Sequence, residues 1–155
     1  MFYDIVKWLH ISGAVVGLGA TFALALAFPL ALRTDPRNLP FVHRLSMDVN
    51  RKLASPALLV LIVTGFYMAL DRDLLGEPWV GGPILIAIIL GGLQGSYFVP
   101  TDKKLAAMAE KELADGATTL SEDYQRQAQR EGGIGALAGL LIVLAVFLMT
   151  VKPGS

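Results

Sequence analysis

From Asp4 to Leu32 the chain reads DIVKWLHISGAVVGLGATFALALAFPLAL, and after Lys7 no charged or titratable side chain other than His10 appears until Arg33. A charge at the bilayer centre costs roughly 3 kcal/mol on insertion scales, and ~20 helical residues cross ~30 Å of hydrocarbon. The stretch therefore predicts a membrane-spanning helix with length to spare for tilt or protrusion. Ala23-Leu24-Ala25 is a nominal cleavage site, but the apolar run exceeds the ~7–15 residues of a secretory signal and only Lys7 precedes it. The segment is read as a retained anchor.

Working outward, three more stretches share this pattern, giving expected spans at residues 4–32, 53–70, 79–100 and 134–150. The expected fold is all-α, a single polytopic membrane domain over residues 1–155. Its four transmembrane helices form a bundle with amphipathic cytoplasmic extensions. Composition agrees: 54% of the residues are hydrophobic before the 16 glycines are counted, where ~45–50% with glycine is usual. Lys and Arg total 13 against 13 Asp and Glu, so no net charge recruits a polyanion and no nucleic-acid partner is expected. The absence of cysteine excludes disulfides, thiolate catalysis and iron–sulfur clusters ligated by this chain.

Cations sort unevenly between the loops. Arg33, Arg37, Arg44, Arg51 and Lys52 fall in the first, and Lys103, Lys104, Lys111, Arg126 and Arg130 in the third, ten of the thirteen. The positive-inside rule puts this face in the cytoplasm of a bacterial-type inner (plasma) membrane, with both termini outside. Tyr3, Trp8 and Trp79 fit an outer aromatic belt. In the first loop, Phe41, Leu45, Val49 and Leu53 recur at helical spacing as an apolar stripe beside Arg44, Asp48, Arg51 and Lys52. In the third, Asp115-Gly116 is a helix stop, and Thr119 to Glu122 has capping-box spacing for the last helix, which Lys152-Pro153-Gly154 ends.

Gly13 and Gly17, Gly91 and Gly95, and Gly135 and Gly139 are three GxxxG spacings, which allow close backbone packing or open space for a flat ring or partner chain. His10, about five residues into the first span, shares a helical face with Gly13, Ala14, Gly17 and Thr21 and is expected to point into the bundle. It reads either as a neutral histidine hydrogen-bonded to another helix or as a ligand. His43 is 33 residues further on, roughly 50 Å along a continuous helix, and reads as an interfacial residue that cannot join His10. Met68, Met149 or a second subunit's His10 lie at a depth that suits a second axial ligand, with Tyr67 a polar neighbour. The absence of a charge in the middle of any span disfavours a carboxylate-driven antiporter.

Lys7-Trp8-Leu9-His10, Ser55-Pro56-Ala57-Leu58 with Gly65, Leu105 with Gly116, Ser121-Glu122-Asp123-Tyr124-Gln125-Arg126 and Val151-Lys152-Pro153 resemble the HemJ-type protoporphyrinogen oxidases and a related family of small four-helix bacterial membrane proteins. A more distant resemblance is to the membrane domain of CopD-type copper-resistance proteins. The resemblance implies a b-type haem ligated by His10, and in HemJ-type members oxidation of protoporphyrinogen IX. The basic Pro-Arg segment of that family corresponds here to Ala25-Leu26, and its third-helix lysine falls near Pro83, which favours haem binding over the oxidase reaction.

The leading expectation is thus a small haem-binding or porphyrin-handling redox protein. His10 is its metal ligand, Gly13 and Gly17 accommodate the macrocycle, Met68 or Met149 is a candidate second ligand, and quinone or porphyrin is a possible partner. The alternatives are a non-catalytic accessory or scaffold subunit of a homo-oligomer or larger membrane complex, and a small-molecule or copper permease.

Overall fold

Four long helical rods run through the computed structural model, which describes residues 1–154, and each contains one of the apolar stretches. The first is α1 (Phe2–Thr34). The second begins with a single 3-10 turn at Pro36–Asn38 and continues through α2 (Leu39–Val49) into α3 (Ser55–Asp71). The third joins α4 (Pro78–Leu93) to α5 (Val99–Ala114), and the fourth is α6 (Glu122–Val151). No strand occurs among the described residues. The expected spans 53–70, 79–100 and 134–150 are the apolar portions of rods that extend beyond them.

Both middle rods contain one widened, π-helical turn, at Asn50–Ala54 and at Gln94–Phe98. The cause is legible: Pro56 and Pro100 follow directly. A proline lacks the N–H and presses on the carbonyl four residues back, here that of Lys52 or Ser96, so the ladder opens rather than kinks. The two turns are tied together, since the Gln94 amide donates to Asn50 Oδ1 at 3.3 Å and to Ser55 Oγ at 3.2 Å.

Helix ends follow local chemistry. Asp35 accepts from the Arg37 amide at 2.9 Å and starts the turn after α1. Gly116 at φ 89 follows the end of α5, as its sequence position suggests, and Lys152 at φ 49 closes α6. The N-cap of α6 is Ser121, whose Oγ accepts from the Tyr124 amide at 3.2 Å, two residues after the expected Thr119. Ser121 has the better partner: its N–H and hydroxyl both donate to Glu112, at 2.7 and 2.6 Å, so the loop is held to the end of α5.

Packing is pairwise. α1 lies along α3, α4 along α6, and α2 along α5, while α1 and α6 meet only sparingly. Two apolar cores result. One, at the end bearing most of the cations (the basic end), gathers Ala31, Leu39, Val42, Leu105, Ala109 and Tyr124; the other, at the end bearing the termini, gathers Ala69, Trp79 and Val80. Between these cores, Val15, Leu26, Leu59 and Leu137 point outward from the bundle. In water such an apolar exterior is a liability; around a bundle of helices, which pair most of their backbone groups internally, it is what lipid requires.

Two sequence-based placements are corrected. Trp79 is 7% exposed inside the core at the termini end, with the Lys152 ammonium 5.0 Å from its ring centre, so it is a core residue and not part of an interfacial belt. The stripe Phe41, Leu45 and Leu53 is exposed, whereas Val42, His43 and Ser46 are buried. The amphipathic helix exists, but its buried face pairs Leu39 and Val42 with the polar His43 and Ser46, and the predicted apolar stripe lies on the exposed side with Arg44 and Asp48.

Candidate functional site

His10 lies half-buried where α1 crosses α3. Its Nδ1 is 2.9 Å from Thr64 Oγ1, and the Thr64 hydroxyl donates to the Val60 carbonyl at 2.5 Å. With that proton committed, Thr64 accepts from the Nδ1–H of His10, and Nε2 is left for any further partner. Gly65 makes room: a Cβ there would stand 3.0 Å from His10 Cε1. The reading of His10 as a histidine bonded to a neighbouring helix is thus the arrangement seen.

Of the other residues expected around a haem on His10, Gly17 borders the large cavity described below, while Gly13, Met68 and Met149 do not. A Cβ on Gly17 would meet the Ala57 Cβ at 2.8 Å, and one on Gly13 would touch the Ala57 carbonyl and Val60 at 3.4 Å. α3 therefore occupies the face expected to take a macrocycle. Met149 packs into the core with Trp79, and Tyr67 reaches Asp71 at 3.5 Å and stacks edge-on to Phe2. Met68 is half-buried one turn beyond Thr64.

Space appears elsewhere. A cavity of about 870 Å³ opens between the α1–α3 pair and the α4–α6 pair, where helix contact is thinnest. That volume is in the range that takes a small molecule of drug-like size or larger. Leu18, Phe22 and Leu24 of α1, Leu61 of α3 and Ala138 and Ile142 of α6 form its apolar wall. Gly135 and Gly139 widen it, because hypothetical Cβ atoms there approach nothing nearer than Phe98 at 4.0 Å and Phe22 at 3.6 Å. Of the three GxxxG spacings, the first packs and the last opens space.

At the basic end the cavity finishes on a buried polar cluster. His43 from α2, 1% exposed, places Nδ1 2.7 Å from Asp102 Oδ1 of α5 and Nε2 2.8 Å from the Tyr124 phenol of α6. Ser46 donates to the other Asp102 oxygen at 2.8 Å. Phe28 of α1 lies 4.8 Å, centre to centre, over the imidazole. Glu131 of α6 brings a carboxylate oxygen to the same place: ligand atoms of His43, Asp102 and Glu131 lie within 4.8 Å of one another. The expectation that His43 is interfacial is therefore overturned. It lies on the buried side of α2 because Asp102 and Tyr124 satisfy both ring nitrogens.

Tyr124 and Glu131 sit on α6 before its apolar stretch begins at Ile134, in the part that protrudes from the expected span. Burial, reinforced by the Glu131 charge, pushes the Tyr124 phenol well above its usual range, so it remains a donor to His43. Burial, and then Asp102, pushes Glu131 up to about 8. No lysine or arginine lines the cavity among the described residues. Nearby cations are engaged at the surface, Arg44 with Glu110 and Lys52 with Asp48 at 2.7 Å.

Sequence reasoning did not select Ser46, Asp102, Tyr124 or Glu131 as site residues. A signal was present: Tyr124, Ala128, Glu131, Gly135, Ala138 and Ile142 recur at three- and four-residue spacing along one side of α6, a polar start running into a small-residue groove.

Four apolar rods with an outward-facing hydrophobic surface and an open cavity between them define a small helical integral membrane protein. The family described as "Predicted integral membrane protein (DUF2269)" matches residues 4–153, and the chain belongs to it. The HemJ-type and CopD-type resemblances gain no support from that match. No curated protein and no solved structure matches the chain.

Proposed function

We propose that the protein binds a membrane-soluble amphipathic small molecule, with the apolar body in the interhelical cavity and the polar head on the His43 cluster. The observation that carries this is the continuity of the two. One 870 Å³ space has a wall of Leu, Phe and Ile side chains and ends on His43, Asp102, Tyr124 and Glu131. Apolar cavities with a few convergent polar groups are the usual form of small-molecule sites. By the asymmetry of the loops the cluster faces the cytoplasm, so a ligand would enter from the bilayer with its head toward the inner surface.

The test is photo-crosslinking in nanodiscs with a diazirine-bearing dodecyl alcohol. Adducts are expected on Leu24, Leu61 and Ile142, and Gly139→Phe should remove most of them by filling the groove. Adducts confined to outward residues such as Val15 and Leu59, unchanged by Gly139→Phe, would overturn the reading.

Haem ligation by His10 is a second reading with one observation behind it. Thr64 fixes Nδ1 and leaves Nε2 available, the arrangement found in ligating histidines whose other nitrogen is held by a neighbour. With the Gly13 and Gly17 face filled, a macrocycle would have to lie outside the α1–α3 contact. An absorbance spectrum after haem supplementation tests it: a Soret band lost in His10→Ala supports it, and a colourless protein removes it.

A further inference from the structure

The cavity's head-group end is rich in acid and poor in base, and that imbalance selects among ligands. Asp102 and Glu131 come from different helices, α5 and α6, and meet beside an imidazole in surroundings of low polarity. Asp102 has two bonded partners, His43 and Ser46. Among the described residues Glu131 has no hydrogen bond or ion pair, and it lines the cavity. Two carboxylates this close cannot both ionise in such a place without a positive charge between or beside them. No lysine or arginine lines the cavity among the described residues, and both nitrogens of His43 are already engaged, by Asp102 and by Tyr124.

An anionic head, such as the carboxylate of a fatty acid, a phosphate or the propionates of a porphyrin, would add negative charge beside Asp102 without a lysine or arginine to pair with it. A bare metal ion matches the charge but not the geometry. His43 has both nitrogens committed, to Asp102 and to Tyr124, so ligation requires breaking one of those bonds, and a metal leaves the long apolar wall unused. A cation with an apolar body uses both halves of the space.

Resting on the reading of the cavity as a ligand site, we propose that its ligand is an amphipathic amine, with the ammonium held between the Asp102 and Glu131 carboxylates and the apolar body between α1, α3 and α6. Glu131 is the positioning partner specific to the ligand, because Asp102 also serves the fold.

The experiment compares three radiolabelled probes of equal chain length, dodecylamine, dodecanol and dodecanoate, on full-length protein in neutral detergent. Dodecylamine is expected to bind at least tenfold more tightly than dodecanol, and dodecanoate more weakly than either. Glu131→Gln should remove most of the advantage of dodecylamine over dodecanol, and an advantage that persists undiminished would overturn the inference. Asp102→Asn risks misfolding through His43 and Ser46, so Glu131→Gln carries the test, with circular dichroism confirming its helicity. If dodecanol and dodecanoate bind as well as the amine, the cavity reading stands and the cation inference falls. If none of the three binds, both fall. Stoichiometric binding of Zn²⁺ alone, with displacement of dodecylamine, would overturn the amine in favour of a metal.

Discussion

Single atoms carry the distinction between the two histidines. His10 makes one interhelical bond through Nδ1, to a threonine whose own proton is already spent on its helix. Such bonds in membranes are worth about 0.6 kcal/mol on average and at most about 1.7. Thr64→Val keeps the shape and removes the acceptor, so thermal unfolding in detergent should show a loss of about 1 kcal/mol. An unchanged melting temperature would show that the contact contributes nothing. Glu131 has a steeper signature. The titratable groups beside it are Asp102 of α5, His43 of α2 and Tyr124 of its own helix, with Glu112 acting on Tyr124. Its carboxyl is raised from 4.5 to about 8, so the folded chain retains a proton that the unfolded chain releases above pH about 4.5. The contribution of Glu131 to stability is therefore complete below about 4.5 and is lost as pH rises through about 8. Glu131→Gln, which cannot ionise, should flatten the dependence of melting temperature on pH across that window; an unaltered slope would contradict the shift.

Elements show why part of this chain was legible and part was not. The four spans could be read because exclusion of charge from lipid is a constraint on residue type alone. The end of α5 at Gly116 could be read because a positive φ there suits glycine. α2 was legible as a helix and misread as to its face. Periodicity finds the stripe Phe41, Leu45 and Leu53, but a stripe cannot say whether it faces a protein core or acyl chains, and here it faces outward. The inward face sets His43 and Ser46 among Leu39 and Val42, and the two polar residues are satisfied there because Asp102 arrives from α5, 59 residues on from His43. No local pattern contains that pairing. Ser46→Ala should cost about 2 kcal/mol, since it removes a hydrogen bond to a buried carboxylate. Leu45→Ala, one position earlier on the exposed side, should change stability by less than about 0.5 kcal/mol in the same assay. Equal losses would mean that the helix face is assigned wrongly.

At the scale of the whole molecule, the arrangement of pairs decides where function can sit. α1 is locked to α3 by Gly17 against Ala57, and α4 to α6 by Gly82 against Leu148, where added Cβ atoms would stand 2.8 and 2.9 Å away. Two tight pairs that meet loosely leave a seam, and the seam is the cavity. Its polar end coincides with the end that holds ten of thirteen cations, so the direction in which a head group points depends on the orientation of the whole bundle. The native chain has no cysteine, which makes that orientation measurable with single introduced thiols. Gly76→Cys lies in the exposed turn between α3 and α4, and Thr118→Cys in the exposed loop between α5 and α6. In intact cells an impermeant maleimide should label the first and spare the second, and permeabilisation should expose both. The reverse pattern would place the His43 cluster toward the exterior, and the amine would then meet Asp102 and Glu131 from outside the cell.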